Sequence, residues 1–138
     1  MSSSVIQIKL KALENNLRFI RELVGPDVII SPVIKGNAYG HGIHIIVPAL
    51  QKLGINHFSV FSSNGAKRAY LVTEGEADIM IMGYIEEDDY EWVISNRIQF
   101  FVHEIGMLEK AISVAKNLRQ KAIIHLELET GMHRTGLD

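Results

Sequence analysis

Val28-Ile29-Ile30-Ser31-Pro32-Val33-Ile34 is a β-branched run, too short for a helix and apolar on both faces. Runs of that kind suit a parallel strand covered on both sides. It stops at Lys35, directly before Gly36-Asn37-Ala38-Tyr39-Gly40-His41-Gly42, a segment with loop chemistry. Upstream, Leu10, Leu13, Leu17, Ile20 and Leu23 recur at spacings of three and four, which predicts a helix over 10–23 with one apolar stripe. Lys11, Glu14, Asn15, Arg18 and Arg21 fill its opposite side, and Gly25-Pro26 ends it.

Downstream the pattern repeats. A helix is expected over 43–53, with Pro48 near its first turn or at a kink. A strand over 56–61 follows, then a helix over 64–73 and a short strand over 79–82. The next helix, 86–94, opens on Glu86-Glu87-Asp88-Asp89, charges that suit the positive end of a helix dipole. A strand over 98–102 leads to a helix expected to bury Ile105, Leu108, Ile112, Ala115 and Leu118. In the last strand, 122–128, Ile124, Leu126 and Leu128 alternate with Ile123, His125 and Glu127.

Five strands separated by helices, with no hairpin signal, mean a parallel α/β sheet. A doubly wound open sheet and part of a (β/α)8 barrel both satisfy that order, and periodicity does not choose between them. A closed TIM-type barrel needs about 250 residues. This chain has 138 and would supply roughly the first five βα units. It stops at Thr135-Gly136-Leu137-Asp138, just after a strand and with no terminating helix. The expectation is therefore one incomplete barrel domain over 1–138, with the remainder lying outside this chain.

The net charge is −2, 47% of residues are hydrophobic and 22% are charged, an ordinary globular composition. No basic arm or interleaved aromatic stripe suggests nucleic acid or an anionic membrane as a partner. The N-terminus lacks a secretory pattern, and no apolar run approaches the roughly 18 residues of a membrane span. There is no cysteine, so disulfides and thiolate metal sites are excluded. A cytoplasmic location is the expectation.

In parallel α/β proteins, function gathers at the C-terminal ends of the strands. Lys35 ends the first strand, so its stem packs and its amine reaches the mouth of the site, where it can attack an aldehyde. Taken alone, a lysine there is more often a surface residue snorkelling from a strand end. The second segment is Glu129-Thr130-Gly131-Met132-His133-Arg134-Thr135-Gly136, after the last strand. Its arginine offers a forked set of donors to a carboxylate or a phenolate. His41-x-x-His44 has no third ligand, so no metal site is expected.

Taken together, the two segments resemble the signatures of the bacterial alanine racemases, pyridoxal-phosphate enzymes built on a (β/α)8 barrel with a C-terminal β domain. Val33 to Gly42 is similar to that family's Val-Val-Lys-Ala-Asn-Ala-Tyr-Gly-His-Gly segment, with Gly36 in place of alanine. Glu129 to Gly136 is similar to its Asp-Thr-Gly-Met-x-Arg-x-Gly segment. The resemblance implies that Lys35 holds pyridoxal 5'-phosphate and serves as acid or base on one face of the substrate Cα. It implies that Tyr39 reaches the cofactor phosphate. Arg134 would lie near the cofactor's phenolic oxygen and the substrate carboxylate.

Asn37 and His41 are expected to shape the loop through local hydrogen bonds. Many family members carry a carbamylated lysine seven residues before the arginine; here that position is Glu127, which is expected to pair with Arg134 and orient it. The implied reaction is interconversion of L- and D-alanine for cell-wall precursors, by a homodimer. The opposite-face tyrosine and the arginine against the pyridine nitrogen are expected outside this chain, which alone should be inactive. A racemase for serine or lysine, or a non-catalytic pyridoxal-phosphate-binding barrel protein, stays open as an alternative. A decarboxylase of the same fold is disfavoured by the Asn37–Gly42 segment.

Overall fold

The computed structural model describes residues 5–138. Its elements run α1 (Leu10–Val24), α2 (Lys35–Tyr39, a single turn of left-handed backbone), α3 (Ile43–Lys52), β1 (His57–Ser62), α4 (Ser63–Val72) and β2 (Asp78–Tyr84). They continue through a 3-10 turn (Glu87–Asp89), α5 (Tyr90–Ser95), β3 (Gln99–Val102), α6 (Ile105–Leu118) and β4 (Ile123–Leu126). All three strand pairs are parallel, and spatial order equals chain order, β1-β2-β3-β4.

That order decides between the two architectures. A doubly wound sheet reverses its strand order at a switch point, whereas a barrel adds each strand beside the last. Burial agrees. Phe58, Val60, Ile79, Ile81, Phe100 and Val102 point to one face of the sheet and are at most 1% exposed. There they pack with Val47, Ala66, Ala69, Val93 and Ala111 of the helices. The opposite face carries Ser59, Met80, Gln99 and Ile123, which are directly paired in register. Helices on one face and a mixed polar and apolar row on the other form the wall of a barrel.

The first expected strand is reduced. Between residues 28 and 34 only Val33 forms a bridge, to Ser59. The ladder there is two hydrogen bonds: Ser59 N–H to the Pro32 carbonyl at 3.0 Å and Ile34 N–H to the Ser59 carbonyl at 2.9 Å. Pro32 has no N–H to contribute, so the pairing cannot extend through it. Side chains attach the segment instead. Ser31 Oγ lies 2.6 Å from Ser59 Oγ and 2.7 Å from His57 Nδ1, which satisfies the buried Ser59 hydroxyl.

The helices also depart from the sequence pattern. On α1 only Leu17 is buried, while Leu10, Ile20 and Leu23 of the expected stripe are exposed. On α6 the buried residues are Met107 and Ala111, whereas Ile105 and Ile112 are exposed. Periodicity marks a stripe but not its rotation, and no described element lies over those outer positions. Pro48 sits inside α3, and the helix continues through it. The proline leaves the carbonyl of His44 without its helical donor, and His44 is exposed to solvent. The acidic run expected to open a helix forms the 3-10 turn, with Asp89 bonded to Lys67 and Glu87 to Lys110.

Candidate active site

Lys35 stands where the first segment leaves the sheet, at the C-terminal end of the strands. From there the chain enters an unusual turn. Gly36, Asn37, Ala38, Tyr39 and Gly40 all have positive φ, between 52° and 85°. For the three residues with a Cβ, left-handed backbone costs roughly 1–2 kcal/mol each. The turn survives because its polar groups are paired. Ala38 N–H donates to the Ile34 carbonyl at 2.9 Å, Gly40 N–H to Gly36 at 3.0 Å and Gly42 N–H to Asn37 at 2.9 Å.

Side chains complete it. The Asn37 Oδ1 accepts the Ile43 N–H at 2.9 Å, capping the start of α3, and His41 Nδ1 donates to the Ala38 carbonyl at 2.8 Å. Asn37 and His41 thus shape the loop, as expected. Ala38 is buried at 6% exposure, which anchors the turn, and Tyr39 is left 63% exposed. Strained backbone of this kind gathers at functional sites.

The Lys35 amine lies 5.9 Å from the centre of the Tyr39 ring and 5.7 Å from that of Phe61. It is solvent-exposed, and among the described residues it makes no ion pair within 4.0 Å. An amine with aromatic faces on two sides and no carboxylate beside it is available to an incoming group. Phe61 is the penultimate residue of β1, two residues on from Ser59. The rule that picked Lys35, the C-terminal strand end, points equally to Phe61, but an isolated phenylalanine carries no chemical signal.

At the other edge of the sheet, β4 leads into the Glu129–Gly136 loop. The loop is closed by a bridge between Leu128 and Leu137. Glu129 N–H donates to the Leu137 carbonyl at 2.9 Å, and Leu137 N–H to the Glu127 carbonyl at 2.8 Å. A Cβ at Gly136 would fall 2.5 Å from the Glu129 nitrogen, so only glycine fits where the chain returns. The Glu129 carboxylate accepts the N–H of Gly131 and, at 3.2 Å, that of Arg134. The N–H groups of His133, Gly131, Arg134 and Met132 turned towards it hold its carboxyl below the usual range.

The expected Glu127–Arg134 pair is not formed. Glu127 accepts instead the Thr135 hydroxyl at 2.9 Å, because the returning chain sets residue 135 over the strand end. Arg134 is exposed, and among the described residues its side chain makes no hydrogen bond or ion pair. Lys35, Tyr39 and Phe61 therefore form one group, and Arg134 with Glu127, Glu129 and Thr135 another. No hydrogen bond joins the two. Glu129 and Thr135 as loop holders were missed from sequence, where both read only as letters of a motif.

Residues 8–138 match the family described as alanine racemase, N-terminal domain. The alanine racemase of Francisella tularensis subsp. novicida is 36% identical over 135 residues, covering 98% of this chain and 36% of that protein. That of Francisella philomiragia is 34% identical over 134 residues, covering 97% and 36%. Among solved structures, alanine racemase from Clostridium difficile superimposes with a TM-score of 0.83 at 30% identity, over 92% of this chain and 33% of that one. Alanine racemase from Bartonella henselae with covalently bound pyridoxal phosphate gives 0.85 at 27% identity, over 95% and 36%. The chain spans about a third of the length of the relatives it matches. On both sequence and fold, the chain belongs to the alanine racemase N-terminal domain family.

Proposed function

We propose that this chain is the cofactor-bearing part of a pyridoxal-phosphate-dependent racemase that interconverts L- and D-alanine. The observation that carries the reading is the Lys35 amine, set beside the Tyr39 and Phe61 rings by a run of left-handed residues and free of any described carboxylate. The donor set suits pyridoxal 5'-phosphate: a primary amine for its aldehyde, a phenol hydroxyl for its phosphate and a guanidinium for its phenolic oxygen. The cofactor described for the Bartonella henselae relative and the cycloserine complex of the Clostridium difficile relative support the same reading.

Lys35 would hold the cofactor through Nζ. Tyr39 would donate its hydroxyl to the phosphate. Arg134 would pair with the phenolic oxygen and bind the carboxylate of the amino acid, fixing the direction of the Cα–H bond. When bound, the cofactor supplies an electron sink for the carbanion at Cα. In one direction of the reaction the freed Lys35 amine would take the Cα proton from one face, and in the reverse direction it would deliver a proton there. Proton delivery to the other face would come from a residue outside this chain.

Glu127, through Thr135, would help hold the Arg134 loop. A homodimer in the cytoplasm, making D-alanine for peptidoglycan, is part of the same proposal; no described helix is long and apolar enough to cross a membrane. The test is to incubate the chain with pyridoxal phosphate, reduce with borohydride and map the labelled peptide. Label confined to Lys35 is the expected result. Label spread over the other surface lysines, with none favoured, would overturn it.

A further inference from the structure

Both acidic side chains of the Glu127–Gly136 loop are committed, and neither to the Arg134 guanidinium. The Glu129 carboxylate takes the N–H groups of Gly131 and Arg134, and the Glu127 carboxylate takes the Thr135 hydroxyl. Backbone N–H groups converging on one anion form a nest, and here the anion is the protein's own. His133 has a φ of 53° inside that nest, and Gly131 one of 128°. A left-handed histidine persists only where its surroundings over-determine it. The hydrogen bonds that determine it here end on Glu129.

We propose that Glu129 is the positioning residue for Arg134. Its carboxylate fixes the backbone at residue 134 without competing for the guanidinium. The arginine leaves the loop from a rigid root with its donors uncommitted, ready for a ligand oxygen. Glu127, expected to do this work through a direct ion pair, braces the returning strand through Thr135 instead. The inference rests on the reading of Arg134 as a ligand-binding residue, and the test separates the two.

The chain is compared with Glu129→Gln, which keeps the shape and loses the charge, and with Glu129→Asp, which keeps the charge. Amide resonances are followed by NMR as pH is lowered, and pyridoxal phosphate binding is titrated by absorbance. In the unaltered chain the Gly131 and Arg134 amides should shift together through one midpoint. That step should vanish in Glu129→Gln and return in Glu129→Asp. Pyridoxal phosphate affinity should fall roughly tenfold in Glu129→Gln, as for a lost charged hydrogen bond, and recover most of it in Glu129→Asp. Unchanged Gly131 and Arg134 amides in Glu129→Gln would overturn the inference, as would altered amides with undiminished affinity. Failure of the unaltered chain to take up pyridoxal phosphate would overturn the functional reading; the amide step would then decide the Glu129 inference by itself.

Discussion

Phe61 and Gly83 touch across β1 and β2 so closely that residue 83 has no room for a side chain. A Cβ there would fall 2.5 Å from Phe61 Cε2 and 2.8 Å from the Phe61 carbonyl oxygen. A ring can rotate away, but a carbonyl in the sheet cannot. The same ring is one of the two beside the Lys35 amine. Gly83→Ala should therefore destabilise the chain by about 1–3 kcal/mol, as overpacking does, and slow reductive labelling of Lys35. Urea unfolding and labelling rates test the two effects separately. A variant with unchanged values in both would show that the contact is dispensable.

Tyr39 is 63% exposed and packs little, so Tyr39→Phe should leave stability within about 0.5 kcal/mol. Its effect should be on ligand binding. Loss of one hydroxyl donor to a phosphate predicts a several-fold weaker affinity for pyridoxal phosphate, with Lys35 still the labelled residue. Equal affinity in the two proteins would remove Tyr39 from the site.

Asn37 does two things at once. It tolerates a left-handed backbone better than most residues, and its Oδ1 caps the first turn of α3 through the Ile43 N–H. Asn37→Ala loses both and should cost about 1–2 kcal/mol, read as a lower denaturant midpoint with an unchanged slope. Asn37→Gly restores the backbone freedom and should recover part of the loss.

Two carboxyls sit below their ordinary range: Asp89, bonded to Lys67 and Ser63, and Glu129 in its nest of N–H groups. Each is more easily ionised folded than unfolded. Their stabilisation is therefore present above the unfolded carboxylate range, near pH 4, and is lost as pH falls through the lower folded values. Thermal unfolding followed across that interval should show stability falling on acidification. Asp89→Asn should flatten the fall; an identical pH profile for that variant would exclude Asp89 as a contributor.

The sequence by itself determined the order of helices and strands, the parallel sheet and the family. Those follow from local periodicity and from two motifs, each contiguous in the chain. It also marked Lys35, because a strand end is a local property. What it did not carry was rotation, register and return. The stripes of α1 and α6 are periodic, yet which part is buried depends on what lies over them. The first β-branched run forms a single bridge, from Val33 to Ser59, 26 residues away, because Pro32 interrupts its donors. Glu127 looks in sequence like the partner of Arg134. Only the closed loop shows Thr135 over Glu127 and the backbone of Arg134 on Glu129. A hydrogen bond is set by position in space, and in a loop that doubles back, neighbours along the chain and neighbours in space are different residues.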